Sequence, residues 1–457
     1  MVNPFIFREY DIRGVADKDF PDETVYTLGK TLGTYFLRHN VRIVSLGRDC
    51  RLSSPRLHRQ LSQGIIDTGC NIIDIDIIPT PLLYFSLFNL DVEGGVMITG
   101  SHNPPDNNGF KVCLGKNTIY GEEIQAIRKI LEKGGFEQGK GEIASKDVKE
   151  LYLEKVSALL IMGFRKPKVI IDSGNGTAGL VAGPFFRKLG AEVTELFSEM
   201  DGNFPNHHPD PTVPENLKIL VEKVKEQKAD VGIAFDGDAD RIGVIDEQCN
   251  IIWGDQLMIL FSRALLKEIS GATIIAEVKC SQTLFDDIEK HGGKAIMWKV
   301  GHSLLKAKLK EEHAPLAGEM SGHIFFAHRY YGYDDAIYAG ARLLEILSHT
   351  EKNLSQLLSD VPRTVVTPEI RIECSDEIKF LVVQKLVEKF KQHYRVIDVD
   401  GARILFDRGW GLVRASNTQP VLVMRFEAQE EKNLEKIKAM VEETVAATIR
   451  EVESSPR

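Results

Sequence analysis

The sequence predicts a multidomain α/β protein that ends in a smaller α+β domain. Its 457 residues exceed what one hydrophobic core normally supports. Short apolar runs alternate with helical patterns along most of the chain, as in repeated βαβ units, which predicts mixed sheets with helices on both faces. Beyond residue 362 this alternation gives way to an α+β mixture with alternating strands.

Breaks in the pattern divide the chain into four predicted domains. A polar, glycine-rich stretch over 133–141 precedes a helical pattern over 148–160, and Pro362 and Pro368 bracket a short, stiff connection. The predicted domains are 1–147, 148–250, 251–362 and 363–457.

The overall charge and the cysteines limit the partners and the cellular location that we expect for the protein. A net charge of -9 argues against a nucleic-acid or membrane partner, because either would need a basic face. An anionic ligand must therefore be met by a local basic pocket. The six cysteines include no C-x-x-C pair and the N-terminus lacks a basic leader before an apolar stretch, so we expect free thiols and a cytoplasmic location.

A serine follows the buried strand predicted at 95–98 and opens a stretch rich in turn formers. Because α/β sheets display reactive groups at strand carboxyl ends, Ser101 is expected to be accessible. The returning chain can place the Lys111 ammonium over the Ser101 hydroxyl. Thr99 and Asn103 stand where the hydrolase nucleophile elbow needs glycines, so that motif is excluded. A plain loop-capping serine is the alternative.

Two further stretches combine cationic and hydrogen-bonding groups. Residues 8–14 include Tyr10 and Arg13, which suit an anion site or a surface turn. The loop 414–420 offers one guanidinium, two hydroxyls and an amide within its first five residues, which is the composition of a phosphate clamp. A plain turn is again the alternative.

Three aspartates alternate with small residues between two apolar strand-like runs. Asp236, Asp238 and Asp240 point to the same side if the loop is nearly extended. Their crowded charge is unfavourable without a cation, which predicts magnesium or a similar hard divalent ion. An EF-hand is excluded because Arg241 replaces the glycine that its loop requires and the flanks are strands. A solvated acidic turn is the alternative.

Three polar loops of the third segment adjoin apolar runs, so that strand ends bring them to one predicted cleft. These loops are 277–281, 299–303 and 318–323. His302 and His323 are candidate ligand contacts, with structural histidines as the alternative. Glu319 and Ser321 suit sugar hydroxyls.

The stretch 174–179 matches G-x-G-x-x-G between a strand and a helix, and Glu195 stands where a ribose-binding acid is expected. It favours an NAD-dependent oxidoreductase. The alternative is a glycine-rich turn that lets a helix pack tightly on the sheet. A dinucleotide enzyme would have no role for the aspartate loop or for Arg414.

Four of these loops resemble, in order and approximate spacing, those of the α-D-phosphohexomutase family, most closely its phosphomannomutase/phosphoglucomutase group. The matching loops are 99–104, 236–241, 318–323 and 414–420. The resemblance spans nearly the whole chain. It implies three consecutive α/β domains of related topology, plus a smaller C-terminal α+β domain, around a central cleft.

The resemblance also implies roles for individual residues. Ser101 would be phosphorylated in the resting enzyme and would hold Mg²⁺ together with Asp236, Asp238 and Asp240. The groups around the transferring phosphoryl group would be Tyr10, Arg13, His102, Lys111 and Arg241. The substrate cleft would be lined by Lys279, His302, His323, Glu319 and Ser321. The clamp for the non-reacting phosphate would be Arg414, Ser416, Asn417 and Thr418.

The implied reaction interconverts hexose 1-phosphate and hexose 6-phosphate, of mannose and/or glucose, through a hexose 1,6-bisphosphate that also serves as activator. The implied catalytic residues are Ser101, His102, Lys111, Arg13, His302 and His323. Lys111 and a histidine are candidates for the general base and acid, and the residues alone do not assign these two roles.

Two alternatives to this reaction remain open. A phosphoglucosamine mutase belongs to the same family, but Met320 fits the mannose/glucose group better than the glutamine typical of glucosamine enzymes. A non-catalytic sugar-phosphate-binding protein would keep the cleft without phosphorylating Ser101. The oligomeric state is left open.

Overall fold

The computed structural model describes residues 3–417 and 419–454, and in these ranges the strands form four sheets. The first sheet is mixed, with strand order β1-β5-β4-β2-β3-β7 and β6 paired to β5. Its elements are β1 (Ile12–Val15), α1 (Ala16–Asp19), α2 (Asp22–Arg38), β2 (Ile43–Arg48), α3 (Ser54–Ile66), β3 (Asn71–Ile77), α4 (Thr80–Asn89), β4 (Gly94–Ile98), β5 (Asn107–Leu114), β6 (Asn117–Thr118), α5 (Glu122–Lys133) and β7 (Ile143–Ser145).

The second and third sheets are also mixed, with orders β12-β11-β10-β8-β9 and β14-β13-β15-β16. The elements of the second unit are α6 (Lys149–Ser157), β8 (Lys168–Asp172), α7 (Ala182–Lys188), β9 (Glu192–Leu196), α8 (Lys218–Gln227), β10 (Val231–Phe235), β11 (Ile242–Asp246) and β12 (Ile251–Ile252). Those of the third are α9 (Gly254–Glu268), β13 (Thr273–Glu277), α10 (Gln282–Lys290), β14 (Lys294–Trp298), α11 (His302–Glu311), β15 (Leu316–Gly318), β16 (Ile324–Phe326), α12 (Ala336–Ser348) and α13 (Leu354–Leu357).

The fourth sheet is antiparallel throughout, with order β17-β22-β21-β20-β19 and β18 also paired to β22. Its elements are β17 (Val365–Val366), β18 (Ile370–Glu373), α14 (Lys379–Lys391), β19 (Arg395–Ile397), β20 (Ala402–Phe406), β21 (Gly409–Ala415), β22 (Val421–Ala428) and α15 (Glu431–Ser454). Short 3-10 helices lie at Pro4–Ile6, Thr177–Leu180 and Pro214–Leu217.

The first three sheets share one four-strand arrangement. It runs β3-β2-β4-β5 in the first, β9-β8-β10-β11 in the second and β14-β13-β15-β16 in the third, with three parallel strands and an antiparallel fourth. This confirms the predicted fold of three α/β units of related topology and a smaller α+β unit. In each unit the loop between the third and fourth strands carries residues that the sequence marks as functional.

The parallel strands next to these loops are apolar along their whole length. Every residue of β4 and β10 is buried, because helices cover both faces of the sheet. In the third unit, the Asp335 carboxylate accepts a hydrogen bond from the Tyr338 amide and so fixes the start of α12. Rigid strands therefore carry the site loops.

One buried apolar cluster joins the first three units, since it contains side chains of α4, α6, α7, α9 and α12. The fourth unit has a separate core under α14 and α15 and meets the third through Val278, Trp410 and Leu412. The first three sheets thus share a core, whereas the fourth is attached through a small patch. Among the helices described for 3–417 and 419–454, none combines the length and apolar character needed to cross a membrane.

Candidate active site

Ser101 lies in the turn after β4 with a left-handed backbone, φ +48°. Its amide donates to Thr99 Oγ1 at 2.9 Å, which holds the turn from within. The Ser101 hydroxyl donates to Asp236 Oδ2 at 2.7 Å, and His102 Nδ1 lies 3.1 Å from Ser101 Oγ. The predicted nucleophile and the first aspartate of the acidic loop are therefore in direct contact.

The acidic loop buries three carboxylates, and one oxygen of each lies within 4.8 Å of the others. Lys111 Nζ is 2.8 Å from Asp238 Oδ2 and 2.5 Å from Asp240 Oδ2. The structure thus places this ammonium on Asp238 and Asp240, whereas Ser101 contacts Asp236. Burial and the two neighbouring carboxylates raise the pKa of Asp236 well above its usual value. Burial would also raise the pKa of Asp240, but Lys111 and His323 hold it low.

This donor set fits a hard divalent cation. Three buried carboxylates share one directly bound ammonium, so the carboxylates outnumber the side-chain cations in contact with them. Within the described residues, Asp238 Oδ1 and Asp240 Oδ1 are buried without a hydrogen-bond donor. Unpaired carboxylate oxygens of this kind are the ligands that such cations prefer.

Two buried histidines stack beside this loop and share one carboxylate. The rings of His302 and His323 are 5.5 Å apart and nearly parallel. Asp334 Oδ2 lies 3.4 Å from His302 Nδ1 and 3.1 Å from His323 Nδ1, and Lys306 Nζ lies 3.0 Å from Asp334 Oδ1. Burial opposes ionisation of Asp334, yet Lys306 and both histidines hold its pKa well below the usual value.

Asp334 and Lys306 were not among the predicted site residues. Asp334 follows several tyrosines and lies just before α12. An acid at that place is expected to cap the helix, but the residue that caps it is Asp335. Lys306 lies inside α11, one turn after His302. Only that spacing of four residues on a helix, which puts both side chains on one face, could have pointed to it.

The predicted arginines surround the acidic loop with positive charge. Arg241 Nε donates to His323 Nε2 at 2.9 Å, and its backbone amide donates to Asp236 Oδ1 at 3.1 Å. Arg13 makes a two-point ion pair with Asp11, with distances of 2.7 and 2.5 Å. Burial, together with Arg241 and Arg13, lowers the pKa of His102 well below its usual value. The His102 imidazole is therefore neutral at neutral pH.

The third-domain loops form a second polar group. Glu319 Oε1 accepts the Gly301 amide at 2.8 Å, and the Ser321 hydroxyl donates to Glu319 Oε2 at 3.1 Å. Lys279 Nζ lies 3.2 Å from Glu369 Oε2 and 3.7 Å from Glu277 Oε1. The loop containing Glu319 is thereby tied to the loop that precedes α11.

Glu277 is a buried acid that the sequence analysis did not select. It ends β13, and burial raises its pKa to about 7, although Lys279 opposes this shift. Its Oε1 accepts the Met320 amide at 3.0 Å, while Oε2 is buried without a donor in the described chain. Its position at a strand end, two residues before Lys279, is the feature of the sequence that could have marked Glu277 as a site residue.

A chain of contacts connects the first, third and fourth domains. Asn417 Nδ2 donates to the Tyr10 hydroxyl at 2.8 Å, and that hydroxyl donates to the Val300 carbonyl at 2.9 Å. The Tyr10 ring lies edge-on to His302 with 6.0 Å between centroids. Because His302 stacks on His323, these contacts lead from the predicted phosphate clamp to the acidic loop.

The remaining clamp residues lie between β21 and β22. Arg414 Nε is 3.1 Å from Asp400 Oδ2, and the same carboxylate oxygen accepts the Val300 amide at 3.0 Å. The Ser416 hydroxyl accepts the Gln419 amide at 3.1 Å. Thr418, the fourth predicted clamp residue, lies outside the described residues. The functional roles of all these residues remain predictions.

The glycine-rich stretch 174–179 packs against the acidic loop. A side chain at Gly176 would meet the Gly237 carbonyl at 2.7 Å, and the Thr177 amide donates to that carbonyl at 3.0 Å. Amides that would cradle a pyrophosphate are therefore engaged by the protein's own backbone. This is the tight-packing turn that the sequence analysis kept as the alternative to a dinucleotide site.

Family models match the chain in four consecutive parts. They are described as phosphoglucomutase/phosphomannomutase alpha/beta/alpha domain I over 4–138, domain II over 150–250 and domain III over 253–365, and as the phosphoglucomutase/phosphomannomutase C-terminal domain over 369–444.

Individual proteins match over nearly the full length. The phosphomannomutase/phosphoglucomutase of Pseudomonas aeruginosa is 46% identical over 437 residues, which cover 95% of this chain and 94% of that protein. The phosphoglucomutase of Neisseria gonorrhoeae is 44% identical over 446 residues, 96% of each chain. A crystal structure of a phosphoglucomutase/phosphomannomutase family protein from Burkholderia thailandensis has a TM-score of 0.92 at 41% identity and covers 98% of both chains.

Proposed function

Because this chain belongs to the phosphoglucomutase/phosphomannomutase family, we propose that it is a phosphohexomutase that interconverts hexose 1-phosphates and hexose 6-phosphates of mannose and glucose. The observation that carries the proposal is the 2.7 Å contact of the Ser101 hydroxyl with Asp236 in a buried acidic loop. The names of the Pseudomonas and Neisseria relatives support glucose in both cases and mannose in the first.

In the proposed reaction, phospho-Ser101 gives its phosphoryl group to the free 6-hydroxyl of a hexose 1-phosphate. The bond from phosphorus to Ser101 Oγ breaks as the bond to the sugar oxygen forms. The sugar hydroxyl proton passes to a base, and an acid protonates the serine oxygen as it leaves. The product is a hexose 1,6-bisphosphate, which also serves as activator of unphosphorylated enzyme. After it turns in the cleft, its 1-phosphoryl group returns to Ser101 and leaves the 6-phosphate.

The acidic loop and the arginines meet the electrostatic demand of this transfer. Asp236, Asp238, Asp240 and the Ser101 phosphoryl group would hold Mg²⁺, which would supply positive charge to the transferring oxygens. Lys111 stays protonated, since Asp238 and Asp240 raise its pKa although burial opposes them. A raised pKa makes Lys111 a poor proton donor and suits it to charge stabilisation. Arg13 and Arg241 add positive charge at the edge of the same loop.

The histidines are the candidates for proton transfer. Burial, together with Lys306, lowers the pKa of His302, so this ring is neutral at neutral pH and able to accept a proton. His102 Nδ1 lies 3.1 Å from Ser101 Oγ, so its neutral ring can take the Ser101 proton when the 1-phosphoryl group returns and give it back when the serine oxygen next leaves. His323 Nε2 already accepts from Arg241, which fixes its tautomer with the proton on Nδ1 toward Asp334. We assign His302 to the sugar hydroxyl and His102 to the serine oxygen.

The substrate's non-reacting phosphate is assigned to Arg414, Ser416, Asn417 and Thr418. In the structure, carboxylates hold the cations of this region, with Asp400 on Arg414 and Glu369 on Lys279. An incoming phosphate would take over from these carboxylates as the partner of the cations. Glu319 and Ser321 are placed on sugar hydroxyls, and one clamp serves both phosphates because the intermediate turns. The proposal keeps the cytoplasmic location that the scattered thiols predict.

Phosphorus NMR of the purified protein tests this proposal. Parallel tubes contain Mg²⁺, a trace of hexose 1,6-bisphosphate and the 1-phosphate of mannose, glucose or glucosamine. We expect conversion of the mannose and glucose 1-phosphates to 6-phosphates, with glucosamine 1-phosphate slower. Fastest conversion in the glucosamine tube would instead make the protein a phosphoglucosamine mutase.

Two other results would reject the proposed function. Release of inorganic phosphate without any 6-phosphate would make the protein a phosphatase. Unchanged sugar phosphates in all tubes, with binding detected by calorimetry, would make it a non-catalytic sugar-phosphate-binding protein.

A further inference from the structure

Arg51 is a buried arginine that holds the backbone of the Ser101 turn. Its side chain is 0% exposed. One terminal nitrogen, Nη2, donates to the carbonyls of Ser101 at 2.8 Å and Asn103 at 2.6 Å. The other, Nη1, donates to the carbonyls of Pro104 at 2.5 Å and Asn107 at 3.0 Å. Four carbonyls of one turn are therefore gathered by a single guanidinium.

The carboxylate of Asp49 completes this arrangement from the opposite side. Its Oδ2 lies 3.2 Å from Arg51 Nε and accepts the Gly100 amide at 3.0 Å, while Oδ1 accepts the Ser54 hydroxyl at 2.5 Å. Asp49 thus balances the buried charge of Arg51 and binds the residue just before Ser101. A glycine is needed there, because a side chain at Gly100 would meet Arg51 Nε at 2.4 Å.

The turn needs this support because Ser101 has a backbone conformation that side chains disfavour. Its φ of +48° lies in the left-handed region, where residues with a Cβ are strained. The Ser101 carbonyl is itself one of the four that Arg51 holds. The contact from Arg51 therefore acts on the very residue whose hydroxyl meets Asp236.

The second domain packs over the same arginine. The Phe204 ring centroid lies 5.2 Å from Arg51 Cζ, within the range of a cation–π contact. A side chain at Gly202 would meet the Cys50 carbonyl at 2.6 Å, so this loop lies directly on the Arg51 segment. Arg51 is thus enclosed between the Ser101 turn and the domain that carries the acidic loop.

We propose that Arg51, oriented by Asp49, is a positioning residue that sets the Ser101 oxygen in line with the sugar hydroxyl and the acidic loop. This inference rests on the proposed mutase function and adds a residue to it. The guanidinium is suited to the task because it offers five N–H groups in a fixed plane. A lysine keeps the charge but presents its donors from one atom, so it cannot hold carbonyls spread along the turn.

Arg51→Lys tests the proposal, with Arg56→Lys as the matched control. Arg56 also donates to backbone carbonyls of the first domain, those of Phe20 at 2.8 Å and Ala16 at 3.2 Å, but these lie outside the Ser101 turn. Both variants lose a guanidinium that holds carbonyls, so both report the general effect on folding. Of the two substitutions, only Arg51→Lys changes a residue that contacts the Ser101 turn.

The readouts are kcat and KM for glucose 1-phosphate, thermal unfolding, and the phosphorus NMR signal of phospho-Ser101. For Arg51→Lys we expect kcat to fall by about 100-fold and KM to change by less than about threefold, since the sugar clamp is untouched. We also expect the phosphoserine signal to shift or broaden. Arg56→Lys should keep kcat within about threefold of the parent and leave that signal unchanged.

Equal kcat and equal phosphoserine signals in the two folded variants would overturn the proposal. If Arg51→Lys does not fold, Asp49→Asn decides, because it keeps the side-chain shape and weakens the hold on the guanidinium. We then expect kcat to fall by roughly tenfold at constant KM, and a parental kcat would overturn the proposal. An unsubstituted protein without mutase activity would instead reject the proposed function, so the two failures are distinguishable.

Discussion

Asn417 of the fourth domain donates a hydrogen bond to the hydroxyl of Tyr10 in the first, 2.8 Å away across 407 positions of sequence. The same hydroxyl donates to the Val300 carbonyl of the third domain. One phenol therefore joins three domains. The fourth domain has a separate core, and this contact ties it to the first domain.

The first prediction concerns this junction. Tyr10→Phe removes the hydroxyl, and Asn417→Ala removes its hydrogen-bond donor. Each should lower kcat/KM because the contact between the fourth and first domains is weakened. A net hydrogen bond of about 1 kcal/mol corresponds to roughly fivefold. Asn417→Ala also removes a contact assigned to the substrate phosphate, and Tyr10→Phe also removes the bond to Val300. The double variant should therefore lose less than the sum of the two single losses, because the Asn417–Tyr10 contact is lost in both. Steady-state kinetics of the four proteins test this, and fully additive losses would contradict it.

The second prediction concerns the shared phosphate clamp. Arg414→Gln should weaken binding of hexose 1-phosphates and hexose 6-phosphates alike, by roughly 10- to 100-fold, because one charge-assisted contact to phosphate is lost. Arg408→Gln is the matched control, since Arg408 is an exposed residue of the same domain. Calorimetric titration with both phosphates measures the effect. Weakened binding of only one of them would contradict a shared clamp.

The third prediction concerns the carboxylate shared by the two histidines. Asp334→Asn should reduce kcat by roughly 10- to 100-fold, because an amide oxygen cannot serve both Nδ1–H groups as the carboxylate does. Asp334 partly opposes the burial and the Lys306 charge that lower the pKa of His302. Its removal therefore lowers that pKa further.

The pH dependence of kcat shows the direction of this change in the pKa of His302. If neutral His302 is the base, activity is lost as the pH falls through its pKa, and the acidic limb of the kcat profile moves to lower pH in Asp334→Asn. An acidic limb that stays in place, or moves to higher pH, would contradict the assignment of His302.

The fourth prediction concerns the metal. Chelation with EDTA should abolish activity, and Mg²⁺ should restore it. Asp238→Asn should raise the Mg²⁺ concentration needed for half-maximal activity by roughly 10- to 100-fold, because a charged ligand is lost. Asp407→Asn, at an exposed acid, controls for the change in net charge. Equal Mg²⁺ dependence of the two variants would contradict the assigned ligand set.

The fold was largely predictable because buried strands are continuous in the sequence. The strand predicted at 95–98 is β4, Gly94–Ile98, and the two strand-like runs around the aspartates are β10 and β11. The predicted helix over 148–160 is shorter, Lys149–Ser157. After it, the amides of Leu159 and Leu160 bond to carbonyls three residues back instead of the four of an α-helix. Long apolar runs determine an element, whereas its ends depend on local capping.

The contacts of the site were less predictable, since they join residues far apart in the chain. The sequence marked Tyr10 and Asn417 but not their hydrogen bond. It gave no sign that Arg51 would reach four carbonyls of the Ser101 turn, because that depends on how β2 and β4 lie side by side. Lys111 was expected over Ser101, and its ammonium instead bridges Asp238 and Asp240.

The most direct test of the mutase mechanism follows one phosphorus atom. The enzyme is labelled at Ser101 with phosphorus-32 from a labelled hexose 1,6-bisphosphate, freed of excess label and mixed with unlabelled glucose 1-phosphate and Mg²⁺ for a single turnover. We expect label to leave the protein and to appear in the sugar bisphosphate and glucose 6-phosphate, and Ser101→Ala to take up no label. Label that stays on the protein, or appears only as inorganic phosphate, would contradict it.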